Sequence, residues 1–189
     1  YVSAPVASIV PAPPAFTMQE AAAYPTVAGA AWRYLVAAAD VRPGERVLVH
    51  GGAGGVGSMV VQLAKAPGAY VIATASARNH DYLRTLGADD VIDYRNVRFG
   101  DVVDDIDIVV DPVGGDTLAR SRRVLRESGR LVTLVGQVPA ALCVPGRVVC
   151  PATPPWDVQA GLNGVAPLIA AGRFGVHVDG LYPLDQVAQ

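Results

Sequence analysis

Seven residues, Gly51-Gly52-Ala53-Gly54-Gly55-Val56-Gly57, hold five glycines. Such a run has no side chain for acid–base or nucleophilic work. Its chemistry is that of bare backbone, whose N–H groups can come within reach of an anion, phosphate above all. The spacing Gly52, Gly54, Gly57 gives G-x-G-x-x-G. In that pattern the first glycine makes a tight turn, the second lets backbone approach a pyrophosphate, and the third lets a helix pack on a strand. The pattern alone is weak and gains force from its flanks. Arg46-Val47-Leu48-Val49-His50 reads as a short buried strand and Ser58 to Lys65 as a helix. Strand, glycine turn and helix together suit a dinucleotide pyrophosphate, which the free N–H groups and positive dipole end of the helix would face. The alternative is a glycine turn that holds no ligand.

The elements that must position this turn alternate along the chain. Residues 1–16 are rich in proline, with a short strand expected over Val6 to Val10 and extended linker elsewhere. Thr17 and Glu20 have capping-box spacing and open a short helix that Pro25 is expected to stop. Thr26 starts an Ala-rich helix ending near Asp40. Later strands are expected at Ala69–Thr74, Asp90–Asp93, Ile106–Asp111 and Arg130–Val135, with a sixth over Arg147–Cys150. Helices are expected at Asn79–Leu86, Asp116–Leu125 and Asp157–Ala171, with the start of another at Leu184–Gln189. Apolar β-branched runs without alternation are strands buried on both faces, and helices between them make a parallel, doubly wound α/β sheet of about six strands.

Composition narrows the function classes. The 189 residues suffice for one domain with a core, 51% are hydrophobic, and the net charge is −2. No basic block supports nucleic-acid binding, and no apolar run of about 18 residues supports a membrane span. The Pro-rich start lacks the basic residues of a signal peptide. Cys143 and Cys150 fit no zinc spacing, and a reduced, cytoplasmic protein is expected. The chain begins at Tyr1 within what reads as a strand, which suggests a fragment or excised domain.

The second strand bears on the cofactor. A site for NAD places Asp or Glu at its end, on the ribose hydroxyls. Here Thr74-Ala75-Ser76-Ala77-Arg78-Asn79 has no acid, and Asp81 already lies inside the next helix. A guanidinium meets a 2′-phosphate with paired charge-assisted hydrogen bonds, whereas a carboxylate repels it. Ser76 and Arg78 therefore favour NADPH. The plainer alternatives are Arg78 as a solvated residue and Ser76 as a helix N-cap.

VRPGERVLVHGGAGGVGSMVVQLAK, ATASARNHDYLRTLGADDVIDY, DIVVDPVGGDTL and GRLVTLVG, in that order, resemble the zinc-free quinone oxidoreductase and enoyl reductase branch of the medium-chain dehydrogenase/reductases. The resemblance implies a Rossmann domain and hydride transfer from NADPH to an activated C=C bond, enone or quinone. It implies cofactor contacts from the turn at Gly51, Gly54, Gly55, Val56 and Gly57. It also implies contacts at Ser76, Arg78, Asn79 and Tyr94 near the adenosine phosphate, and at Val113, Gly114, Leu134, Val135 and Gly136 on the nicotinamide side. Asn79 stands where many relatives carry a lysine proposed as proton donor. The adjacent His80 is a titratable substitute, although a histidine at a helix start is more often surface decoration. No metal site is expected, and His50 reads as a packed residue at the end of the first strand. The resemblance further implies a β-rich catalytic domain almost wholly absent here. Residues 1–25 would be its last strand and linker, 26–180 the dinucleotide-binding domain, and 181–189 the return towards it. The expected partners are a small-molecule substrate, that missing domain, and a second copy paired through the sixth strand. The alternative is a cofactor-binding module, or part of a synthase, without turnover by itself.

Overall fold

In the computed structural model, which describes residues 3–6, 9–183 and 186, the chain opens with α1 (Met18–Ala31). There follow β1 (Arg46–Val49), α2 (Gly55–Lys65), β2 (Tyr70–Ala75), α3 (His80–Thr85), β3 (Asp90–Asp93) and β4 (Ile106–Asp111). The rest is α4 (Gly115–Ser121), β5 (Leu125–Thr133), β6 (Val148–Val149) and α5 (Val158–Ala170). The six strands make one sheet in the order β3-β2-β1-β4-β5-β6, and every pairing is parallel. The direction of winding reverses between β1 and β4, and a crevice opens there at the carboxyl ends of the strands.

Strand periodicity of two assigns the core to two faces. Val47, Val49, Val71, Ala73, Ile108, Val110 and Val132 pack with α1, α2 and α5. Leu48, Ile72, Ile92, Val109 and Leu131 pack on the opposite face with Phe99, Leu118 and Val124. Both faces are covered, as a parallel, doubly wound sheet requires.

Several sequence expectations are corrected. Pro25 does not stop the first helix: α1 passes through it and continues into a π-helical stretch, Trp32–Ala38. The Thr17–Glu20 capping box fixes its start. Tyr24, Ala28 and Ala31 are buried below and beyond the proline, and that packing outweighs one missing backbone bond. The helix break expected at Pro25 is therefore absent, and one helix spans residues 18–31. Over Val6–Val10, where residues 7 and 8 lie outside the described set, the Ile9 N–H donates to the Val6 carbonyl in a turn, not a strand. α4 ends at Ser121, and Leu125 is already in β5, paired with Ile106. An irregularity follows, with Ser128 at φ 61° and Gly129 so close to Ile106 that a Cβ would lie 3.0 Å from its carbonyl oxygen. The helix expected over Leu184–Gln189 lies, except for Gln186, outside the described residues. Cys143 and Cys150 are joined in a disulfide with Cα atoms 5.6 Å apart, which corrects the expectation of reduced thiols. The turn that brings them together is closed by the Arg147 and Val148 N–H groups on the Val144 carbonyl. Among the described residues no helix is long and apolar enough to cross a membrane.

Candidate functional site: a dinucleotide cleft at the sheet's switch point

The glycine turn leaves β1 at the crevice. Gly51 has φ 56°, the left-handed region that glycine enters without strain. Its carbonyl accepts the Gly54 N–H at 3.0 Å, and the Gly52 N–H donates across to the Thr74 carbonyl at 2.9 Å. Gly54 caps α2 in extended backbone, so Gly55, Val56 and Gly57 occupy the first helical turn. The N–H groups of such a turn have no acceptor within the helix. A Cβ at Gly57 would overlap the Gly51 carbonyl, and one at Gly54 would lie 3.3 Å from the same oxygen. The cradle therefore exists only because these positions are glycine, and it fits a phosphate approached by backbone alone.

Beside the turn, a cavity of about 280 Å³ is lined by Gly51, Gly54, Ser76, Arg78, Asn79 and Tyr94, with Arg95. The structure thus gathers the residues expected at the adenosine phosphate, and adds Arg95, whose guanidinium lies 5.9 Å from the centre of the Tyr94 ring. Ser76 is buried, and its hydroxyl caps no backbone N–H; it accepts from Asn79 Nδ2 at 3.4 Å. The helix-cap alternative for its side chain is thereby removed. A contiguous cavity of about 360 Å³ shares Gly51 and Tyr94 and reaches Val97, Arg98, Val113, Thr117 and Arg120. Among the described residues Arg78, Arg95, Arg98 and Arg120 form no ion pair.

On the far side of the switch point, Asp111 closes the turn after β4. Its Oδ1 accepts from the N–H groups of Val113 (2.7 Å) and Gly114 (2.9 Å). Its Oδ2 is buried with no partner among the described residues. Gly114 has φ 77°, and a Cβ on it would lie 3.2 Å from the Val135 side chain, so the loops after β4 and β5 touch. The Leu134 N–H donates to the Asp111 carbonyl and the Val135 N–H to Thr133 Oγ1. Gly136 opens onto a separate cleft of about 470 Å³ with Arg33, Thr133, Gln137 and Thr153. Of the residues expected on the nicotinamide side, Val113 thus shares a cavity with Gly51 and Tyr94, Gly136 lines the separate cleft, and Gly114, Leu134 and Val135 line none of these three.

His50 is 1% exposed and packs edge-on to Phe99, with ring centres 4.6 Å apart. Burial pushes its imidazole down to about 4; the Asp111 carboxylate opposes that and the Arg120 guanidinium adds to it. His80 lines none of these three cavities, and its Nε2 is sealed from solvent without a partner among the described residues. Sequence reasoning missed Arg95, Arg98 and Arg120; Arg95 alone carried a signal, as the neighbour of Tyr94. Among the described residues no group of three or more His, Cys, Asp or Glu side chains is placed to hold a metal ion.

Comparison with known proteins agrees with this geometry. The family model described as zinc-binding dehydrogenase matches residues 86–189. The polyketide synthase GfsB of Streptomyces halstedii is 41% identical over 124 residues, 65% of this chain and 2% of that protein. The chloroplastic NADPH-dependent alkenal/one oxidoreductase of Arabidopsis thaliana is 39% identical over 150 residues, 77% of this chain and 36% of that protein. The crystal structure of the CurK enoyl reductase superposes with a TM-score of 0.84 at 26% identity, over 96% of this chain and 60% of that one. The chain thus spans only part of each of these relatives. Matched by the family model over more than half its length, the chain belongs to the zinc-binding dehydrogenase family and is a nucleotide-binding part of the medium-chain dehydrogenase/reductase superfamily of nicotinamide-dependent oxidoreductases.

Proposed function

We propose that this chain holds NADPH for a reductase that transfers hydride to an activated C=C bond or a quinone. The observation that carries the choice of cofactor is the cavity beyond β2, where Ser76, Arg78 and Arg95 converge and no carboxylate stands on its lining. A 2′-phosphate there meets two guanidinium groups and a hydroxyl. The names of the alkenal/one oxidoreductase and enoyl reductase relatives support the same reading.

Bound in this cleft, the reduced nicotinamide would supply hydride to the substrate. The chain's own residues bind and orient. The first turn of α2 takes the pyrophosphate, Tyr94 and Arg95 wall the adenosine end, and Val113, Gly114, Leu134, Val135 and Gly136 line the nicotinamide side. Asn79 has no proton to give at neutral pH and His80 lines none of these cavities. Substrate protonation is therefore assigned to water or to the other domain.

In this reading residues 26–180 are the dinucleotide-binding unit, and 1–25 and 181–189 are connections to a catalytic domain. By itself the chain binds cofactor without turnover, whether the parent is a free enzyme or a synthase. A second copy would extend the sheet at β6, a strand of two residues with Pro145 and Pro151 on either side.

Titration of the chain with NADPH and NADH tests the reading. NADPH should bind about 10- to 100-fold more tightly, the worth of charge-assisted bonds to one phosphate. Arg78→Ala and Arg95→Ala should each remove much of that margin. Equal affinity for the two would sink the NADPH assignment, and no binding of either would sink the function proposed for this chain.

A further inference from the structure

We propose that His50 is a positioning residue for the cofactor turn: seated between Ser121 of α4 and Thr74 of β2, it holds the Thr74 hydroxyl against the N–H of Gly51. The inference rests on the reading of the turn as a pyrophosphate cradle and adds the device that sets it.

The hydrogen bonds fix the direction of the chain. The Ser121 hydroxyl donates to the Thr117 carbonyl at 2.8 Å, so towards His50 it can only accept. His50 Nε2, 2.9 Å from Ser121 Oγ, therefore carries the proton. Nδ1 is then bare and accepts from the Thr74 hydroxyl at 3.3 Å. With its proton so committed, Thr74 Oγ1 presents a lone pair to the Gly51 N–H, 3.2 Å away. The Thr74 carbonyl takes the N–H of Gly52, so one residue holds the N–H of each of the two peptides that flank the Gly51 Cα. Gly51 is the left-handed pivot of the turn, and its carbonyl seats Gly54, the cap of α2. Every polar atom of His50's side chain is satisfied in one neutral tautomer, inside a core where a wrong proton leaves an orphan. The charged groups around the ring are Asp111, at the end of β4, and Arg120 of α4.

A merely space-filling histidine would make no demand on the tautomer and would not link α4 to Gly51. Two measurements on this chain separate the cases. The first is side-chain nitrogen NMR of His50 together with hydrogen exchange at the Gly51 amide, in the wild type and in Ser121→Ala. Ser121 makes none of the Gly51 hydrogen bonds named above. The expected result is the Nε2–H tautomer in the wild type and exchange at Gly51 about three- to tenfold faster in Ser121→Ala, the worth of one hydrogen bond. An Nδ1–H tautomer, or unchanged Gly51 exchange, overturns the proposal. The second is the affinity of Thr74→Val and Thr74→Ser for NADPH and for adenosine 2′-monophosphate, which has the 2′-phosphate but no phosphate at the 5′ position. Thr74→Val should weaken NADPH about tenfold and leave the monophosphate within about twofold, while Thr74→Ser restores NADPH binding. Equal weakening of both probes, or no weakening of NADPH, overturns it as well. If the wild type binds neither probe, the proposed function fails, and the tautomer and Gly51 exchange still decide the role of His50.

Discussion

His50 is held neutral, and that has a consequence for stability as well as for the turn. Burial, the largest influence, lowers its imidazole to about 4, against about 6.5 in an unfolded chain; Asp111 works against the shift and Arg120 with it. Between those values the unfolded chain binds more protons than the folded one, so stability rises with pH across that window. Stability present above about pH 6.5 is lost as pH falls to about 4, where the loss from this residue levels off at roughly 3 kcal/mol. Urea unfolding from pH 7 to pH 4 should therefore show a steeper decline for the wild type than for His50→Gln, and parallel declines would refute the assignment. The packed character of His50 was readable in the sequence from its place after three apolar strand residues, Val47-Leu48-Val49. Its partners were not, because Thr74 and Ser121 lie 24 and 71 residues away and meet it only through the crossing of the sheet. Arg95 was missed for a related reason: only the fold brings the loop after β3 beside the loop after β2.

At the level of elements, local rules served best where a single interaction decides the outcome. The capping box at Thr17, the glycine turn and the Asp157 cap of α5 are all written in residues a few positions apart. Pro25 shows where such rules lose, since its penalty is local and the packing that outweighs it comes from elsewhere in the chain. Part of that packing is a close crossing of α1 and α5. A Cβ at Gly161 would lie 2.8 Å from the Gly29 Cα, and Gly164 lies against the Trp32 ring so closely that a Cβ would overlap it. Two effects then oppose each other in Gly161→Ala. Removing glycine from a helix interior gains about 1 kcal/mol, whereas forcing an atom into a filled backbone contact costs about 1 to 3 kcal/mol. The neighbour is main chain and cannot rotate aside, so the cost wins. Gly161→Ala should lower the melting temperature by several degrees, while Gly172→Ala, with no heavy atom near but φ 66°, tests backbone strain alone. A rise in melting temperature for Gly161→Ala would show that the helices can part without loss.

On the scale of the whole molecule, the sheet order puts the switch point between β1 and β4, and the cavities at that end of the sheet are lined by residues that follow all six strands, Pro151 and Thr153 after the edge strand β6 among them. Fold class followed from the alternation of strand and helix, because a parallel sheet buried on both faces leaves few other arrangements, whereas the strand order that sets the switch point is a finding of the structure. The distribution of charge did not follow. A net charge of −2 conceals the four guanidinium groups of Arg78, Arg95, Arg98 and Arg120 around two adjoining cavities, none in an ion pair among the described residues. Exposed charges are screened over about 8 Å at physiological salt, so part of their pull on an approaching anion should vanish as salt rises, whereas a bidentate contact at close range persists. NADPH carries about two more negative charges than NADH, from its extra phosphate. The affinity for NADPH should therefore fall more steeply with ionic strength than that for NADH. Arg98→Ala or Arg120→Ala should reduce that steepness while leaving the NADPH preference at high salt largely intact, and Arg78→Ala should reduce both. Titrations of each variant with both cofactors from about 0.02 to 0.5 M salt distinguish the two effects. A common slope for NADPH and NADH in the wild type would mean that the four arginines do not act as one field, and that the preference rests on contact at Arg78 and Arg95 alone.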